Sequence, residues 1–266
     1  MHANEPGLPL PGPAANDPGP PTLVMPGRKV RAGEGVNWIG DGWRLFRKAS
    51  LMWIVFLVLF FLIHLGVGMV PWVGMTVGSL LAPIFMGGIA LGCRSLETGG
   101  DLELEHFLAG FRRNTGLLFA IGVVYAAGEL VLFAVFGLFA GPSFVFAVIR
   151  GDEAAMLNAF PEDPMRLALG GLVVAALALP LLAAYWFAPA LAMLHDVPAI
   201  PAMVASFRAC FRNFWPMTVY GLVMGALLVP AVIPLGLGLL AWAPLFLATI
   251  YASYRSVFTQ PDEEPA

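Results

Sequence analysis

Two ionisable side chains stand inside long apolar stretches of this 266-residue chain: Glu129, between Gly128 and Leu130, and His64, between Ile63 and Leu65. A carboxylate in hydrocarbon is costly, about 2.5 kcal/mol or more on the insertion scale for Asp, so Glu129 must face other helices and find a partner or stay protonated. Its chemistry would be that of an intramembrane ion or substrate path. His64 lies 13 residues past Leu51 and Glu129 12 residues past Leu117. These are rises of about 20 and about 18 Å, so the two could meet at one level. The plainer alternative is a protonated Glu129 bonded to a backbone carbonyl or to Tyr125, one turn back.

No catalytic set accompanies them. Gly33-Glu34-Gly35 and Gly40-Asp41-Gly42 lack the strand and helix context of a phosphate loop. His195-Asp196 is an adjacent pair with no third group for a metal site or triad, and His2 and His106 are isolated. Cys93 and Cys210 match no zinc or redox spacing and, on the expected cytoplasmic side, form no disulfide. No cofactor, metal or nucleic-acid module is expected, and the chain is read as a non-enzyme.

The elements that position these residues follow from composition. Hydrophobic residues make up 59% of the chain and charged residues 12%, about half the charged share of a soluble domain. Lipid is the implied solvent, and blocks of about 20 apolar residues select helices over barrel strands. Six spans are expected, at about 51–70, 73–92, 117–140, 167–193, 215–232 and 235–254. The fold class is therefore all-α, a polytopic membrane helical bundle occupying 36–258. Residues 1–35 read as a disordered Pro-rich tail, not a cleavable signal, since no apolar core region precedes Arg28. Residues 259–266 read as a short acidic tail.

Twelve of the 14 Lys and Arg residues fall before span one or after spans two, four and six. Cations accumulate in cytoplasmic loops, so both termini are expected in the cytoplasm. Trp38, Trp43, Trp53, Trp72, Trp215, Tyr251 and Tyr254 lie near span ends, as an interfacial belt would. Three connections carry apolar residues at helical spacing: Val36/Ile39/Trp43/Phe46, Leu104/Phe107/Leu108/Phe111 and Ile200/Met203/Val204/Phe207/Phe211. Arg44, Lys48, Arg112, Arg113, Arg208 and Arg212 stand beside them, with Arg94 and Arg255 at span ends. Each stretch is expected to be an amphipathic helix in the interface, its cations at anionic headgroups. A short helix packed on the bundle end is the alternative.

Ala82-Pro83-Ile84-Phe85 matches Ala243-Pro244-Leu245-Phe246, and Arg-Ser follows 11 residues after each proline. Ala188-Pro189 marks span four. We read three parallel copies of one unit: interfacial helix, span out, span back with a proline. Pro83, Pro189 and Pro244 are expected to kink their helices, removing a hydrogen bond to Ser79, Tyr185 and Leu240 respectively. The small-xxx-small pairs Gly74/Gly78, Gly88/Gly92, Gly137/Gly141 and Gly221/Gly225 suit close helix packing.

Asn37-Trp38-Ile39-Gly40-Asp41-Gly42-Trp43-Arg44-Leu45-Phe46, Leu80-Leu81-Ala82-Pro83 and Gly92-Cys93-Arg94 resemble a family of bacterial integral membrane proteins with about six spans and no assigned activity. The likeness runs from about Val36 to Phe258. It implies a bacterial inner membrane and nothing chemical. Membrane lipids are the expected partners, with a protein partner or homo-oligomer as further candidates. A lipid- or partner-binding role is the leading reading. A small transporter or channel using Glu129 is the second. A membrane-embedded lipid enzyme is the third; its only material is Arg94, His106 and His195.

Overall fold

The computed structural model describes residues 22–68, 73–161 and 163–260. The side chain of His64 lies outside that description, as do Trp72 and Glu162. The described chain is an all-α bundle: α1 (Glu34–Lys48), α2 (Ser50–Gly68), α3 (Val73–Glu97), α4 (Leu104–Leu108) running into a 3-10 turn (Ala109–Phe111), α5 (Thr115–Ala140), α6 (Pro142–Arg150), α7 (Glu153–Asn158), α8 (Pro164–Trp186), α9 (Ala188–His195), α10 (Ala199–Arg212), α11 (Phe214–Val232) and α12 (Leu239–Phe258).

Local chemistry sets several of these boundaries. Asp152 and Asp163 cap α7 and α8 by accepting the amides of Ala155 and Met165, each at 2.9 Å, and Pro164 opens α8 without losing a hydrogen bond. Asn114 takes a left-handed conformation with φ 56° at the start of α5.

Four described helical stretches are long and apolar enough to cross a membrane: Thr76–Glu97, Thr115–Ala140, Pro164–His195 and Phe214–Val232. A fifth arises if α1 and α2, bent by 95°, count as one broken span. The expected six differ from this for two reasons. Residues 69–72, and side chains near the outer end of α2 including that of His64, fall outside the described part, so the described apolar run of α2 on its own is too short. The second half of α12 carries Thr249, Tyr251, Ser253, Tyr254 and Arg255, which dilute its apolar character. Leu130, Leu138, Leu172, Leu179 and Leu222 point outward from the long helices. Water would not tolerate so continuous an apolar surface, and lipid does.

The packed interior is off-centre. Trp38, Trp53, Phe187, Met193, Tyr254 and Phe258 are all buried, and they gather at the end where Leu23 bridges to Thr259; we call this the terminal face. The short helices close it. α4 packs on α3, α10 on α8 and α9, and α1 on α12. Gly35 and Gly42 explain the last contact. A side chain at Gly35 would collide with Pro216 and Tyr220, and one at Gly42 with Thr249. The glycine doublets that form no phosphate loop thus let α1 lie against α11 and α12.

The prolines act differently from one another. Pro83 and Pro244 sit inside continuous helices. Pro189 follows a break at Phe187 that divides the fourth span into α8 and α9. Ser206 of α10 serves that break: its hydroxyl accepts the Phe187 amide at 2.9 Å and donates to the Ala183 carbonyl at 2.6 Å.

Candidate functional site

Glu129 is half-buried on α5 and accepts a hydrogen bond from the Ser79 hydroxyl of α3. Ser79 is the residue four before Pro83, where the proline interrupts the helix ladder. One turn before Glu129, Tyr125 meets Tyr185 of α8 with ring centroids 4.7 Å apart. The Tyr185 hydroxyl is buried and makes no hydrogen bond among the described residues. Three long helices therefore contribute polar groups to one place inside the bundle. The partner shown for Glu129 is Ser79, not Tyr125. The expected pairing with His64, on α2, lies outside the described side chains.

The basic residues occupy the terminal face, but they do not all point outward. Arg94 is buried. Its guanidinium acts electrostatically on His195 and Tyr254, which are joined by a 2.5 Å contact between the imidazole Nε2 and the phenol. Arg255 pairs with Glu97, and Glu97 also accepts the Tyr251 hydroxyl at 2.7 Å. Lys48 Nζ donates to the Leu96 carbonyl at 2.6 Å. These contacts tie α1, α3, α9 and α12 together.

His106 stands apart from that network. It packs over Gly92, and its Nδ1 accepts the Glu103 amide at 3.0 Å, closing the start of α4. Arg94 and His195 are thus brought together, and His106 is engaged elsewhere. Arg44 pairs with Asp41 three residues earlier, and Arg112 lies 3.9 Å from Glu105. Arg113 and Arg208 are exposed.

The three amphipathic stretches divide their faces unevenly. On α10, Ala202, Ala205, Ser206 and Ala209 are buried against the bundle, and so is Met203, which the helical spacing puts on the outward side. Ile200, Val204, Phe207 and Phe211 face outward, beside Arg208 and Arg212. On α4 and its 3-10 turn, Leu104, Leu108 and Phe111 face outward and Phe107 is buried; on α1, Val36 and Trp43 face outward and Phe46 is buried. The expected aromatic belt is corrected in the same way. Trp43 and Trp215 are exposed, whereas Trp38, Trp53, Tyr251 and Tyr254 belong to the interior.

Residues 22–33, read from composition as part of a disordered tail, form an ordered strap across the terminal face. The Val24 and Arg28 amides donate to Phe258 and Val257 carbonyls, both at 2.8 Å. Asn213 accepts the Val30 amide at 2.8 Å and donates to the Arg28 carbonyl at 3.0 Å. Arg212 donates to the Gly27 carbonyl at 2.8 Å. Asn213 and Ser206 carry neither charge nor periodicity, and Glu97 is a single carboxylate at the end of a span, so no sequence pattern marks any of the three as part of a site.

A Burkholderia thailandensis protein described as a probable inner membrane protein is 28% identical over 251 residues, covering 86% of this chain and 93% of its own length. That likeness agrees with the resemblance to bacterial membrane proteins carried by the Asn37–Phe46 stretch. No family profile matches the chain, and no solved structure matches it. The fold and the relative together describe a helical transmembrane protein.

Proposed function

We propose that this chain is a multi-pass protein of the bacterial inner membrane, with both termini cytoplasmic, whose terminal face binds anionic lipid in a non-enzymatic role in the envelope. The observation that carries this reading is the division of α10. Met203 and the small residues Ala202, Ala205, Ser206 and Ala209 hold the helix on the bundle while Ile200, Val204, Phe207 and Phe211 stand outward with Arg208 and Arg212 among them. That is the arrangement of a helix lying in the interface, apolar side chains in the acyl boundary and cations at headgroup phosphates. The relative's name supports the inner membrane, and the twelve-to-two division of Lys and Arg supports the orientation.

Native mass spectrometry of the chain gently extracted from its own membrane tests this reading. Stoichiometric anionic lipid is the expected result. A bare chain, or one carrying a protein partner or second copy without lipid, would displace it. A reporter fused to the C-terminus should be active only as a cytoplasmic reporter.

A second reading, passage of an ion or small substrate past Glu129, draws on the Ser79–Glu129 contact and the unpartnered Tyr185 hydroxyl in the same bundle. Intramembrane carboxylates of this kind line transport paths. Vesicle flux that is present in the native chain and lost in Glu129→Gln would support it.

A further inference from the structure

The strap does more than cover the terminal face. Where residues 28–34 cross the junction of α10 and α11 they leave an open groove of about 720 Å³. Arg28, Lys29, Arg31 and Arg212 line it, with Glu34 as the sole acidic residue among the described lining residues and Trp215 at its edge. Its walls are fixed by hydrogen bonds. Asn213 clamps Val30 and Arg28 from the junction of α10 and α11, Arg212 holds Gly27, and Arg28 Nε donates to the Ser256 carbonyl at 2.5 Å. Two cations remain uncommitted: among the described residues, neither the Lys29 ammonium nor the Arg31 guanidinium makes a side-chain hydrogen bond or ion pair, and both are exposed. Four cations against one carboxylate on a braced backbone favour a compact anion, and guanidinium groups match phosphate oxygens in particular.

Depth separates a lipid phosphate from a soluble one. Trp215 and Phe214 stand outward at the first turn of α11, 68% and 58% exposed. Tryptophan at the end of a membrane-crossing helix sits at headgroup level. The apolar surface of α11 begins directly beyond it, with Leu222 facing outward. A molecule with a phosphate among Lys29, Arg31 and Arg212 would therefore have its apolar portion against Trp215 and the α11 surface. The geometry points to this groove as a binding site for the headgroup of an anionic glycerophospholipid, held by the strap and capped at its lipid edge by Trp215. The inference rests on the lipid-binding reading above and assigns that reading a site and a ligand class.

The test uses the full chain in detergent, titrated with short-chain phosphatidylglycerol or phosphatidylcholine and read by native mass spectrometry. The wild-type chain should retain one phosphatidylglycerol in preference to phosphatidylcholine. The Lys29→Gln/Arg31→Gln variant should bind it at least tenfold more weakly. Both side chains are exposed and unbonded among the described residues, so folding should be unchanged, which the thermal unfolding midpoint checks. Arg150→Gln, at the exposed end of α6 and away from the groove and the terminal face, should bind as wild type does.

If wild type prefers phosphatidylglycerol and the groove variant does too, the groove assignment is wrong while lipid binding stands. If wild type shows no preference, both readings fall. Displacement of the phospholipid by inorganic phosphate at equal concentration would overturn the lipid assignment in favour of a soluble anion. The expected result is that inorganic phosphate competes only at far higher concentration, because it has no apolar portion to place against Trp215.

Discussion

The Phe187 amide donates to the Ser206 hydroxyl at 2.9 Å, joining the broken fourth span to α10 across 19 residues of chain. With the Ser206 donation to Ala183, one hydroxyl satisfies both a donor and an acceptor freed by the break. Phe187 and Ser206 are completely buried. Ser206→Ala should therefore leave two polar backbone groups without this partner, at a cost of about 1–3 kcal/mol. The lowered unfolding midpoint in detergent should be visible by circular dichroism. An unchanged midpoint would mean that the break is stabilised by packing around Pro189 alone.

Glu97 offers a sharper comparison, because its two partners differ in burial. Tyr251 is almost fully buried, and the Arg255 side chain is 40% exposed. An exposed ion pair contributes little, about 0–1 kcal/mol. A buried hydroxyl that loses its acceptor costs about 1–3 kcal/mol. Glu97→Gln keeps an oxygen for Tyr251 and gives up the ion pair; Glu97→Ala gives up both. Alanine should destabilise clearly more than glutamine. Equal losses in the two variants would locate the stabilisation in the charge instead.

What the sequence made legible follows from these same residues. Apolar blocks located α5 and α11 well, because a helix that faces lipid on most sides must be apolar on most sides. They described α12 less well. It is packed at the terminal face through Tyr251, Ser253 and Tyr254, so its composition is closer to that of a soluble core helix. Position near a span end marked Tyr254 as a belt residue but said nothing about which way it points. Glu129 was legible as a group that needs a partner. Ser79 was not legible as that partner, since a single serine in a span has no pattern. The strap was hidden for another reason. A segment rich in proline and glycine cannot build a core of its own, yet Leu23 and Val30 pack against one that the helices have already formed.

That dependence makes the strap separable. Asn213 bonds the Val30 amide and the Arg28 carbonyl with one side chain. Asn213→Ala should release residues 28–31 while leaving the long helices packed. Amide exchange at Val30 should quicken by an order of magnitude or more, as the loss of about 1.4 kcal/mol in local stability implies. Trypsin should cut faster at Arg28, Lys29 and Arg31, with the α10–α11 helical signal unaltered. Protection as strong as in wild type would show that the pairing with Phe258 and Val257 holds the strap without Asn213.

His106 should make the terminal face sensitive to acid. Burial lowers its pKa from the ordinary 6.5 and outweighs the backbone hydrogen bonding at Glu103 and the Glu103 and Glu105 carboxylates, all of which pull the other way. Its Nδ1 must also stay unprotonated to accept the Glu103 amide. The folded state thus favours the neutral ring more than the unfolded state does. The corresponding stability is fully present above pH 6.5 and is lost as pH falls through 6.5 towards the lower folded value, because the unfolded chain takes up the proton first. Unfolding midpoints measured between pH 8 and pH 5 should fall over the acid half of that range. His106→Gln supplies an acceptor at the same third helical position, a role glutamine fills in capping boxes, and removes the titration. The variant should match wild type at pH 8 and lose less stability at pH 5. Parallel curves for the two proteins would assign the acid sensitivity to another group.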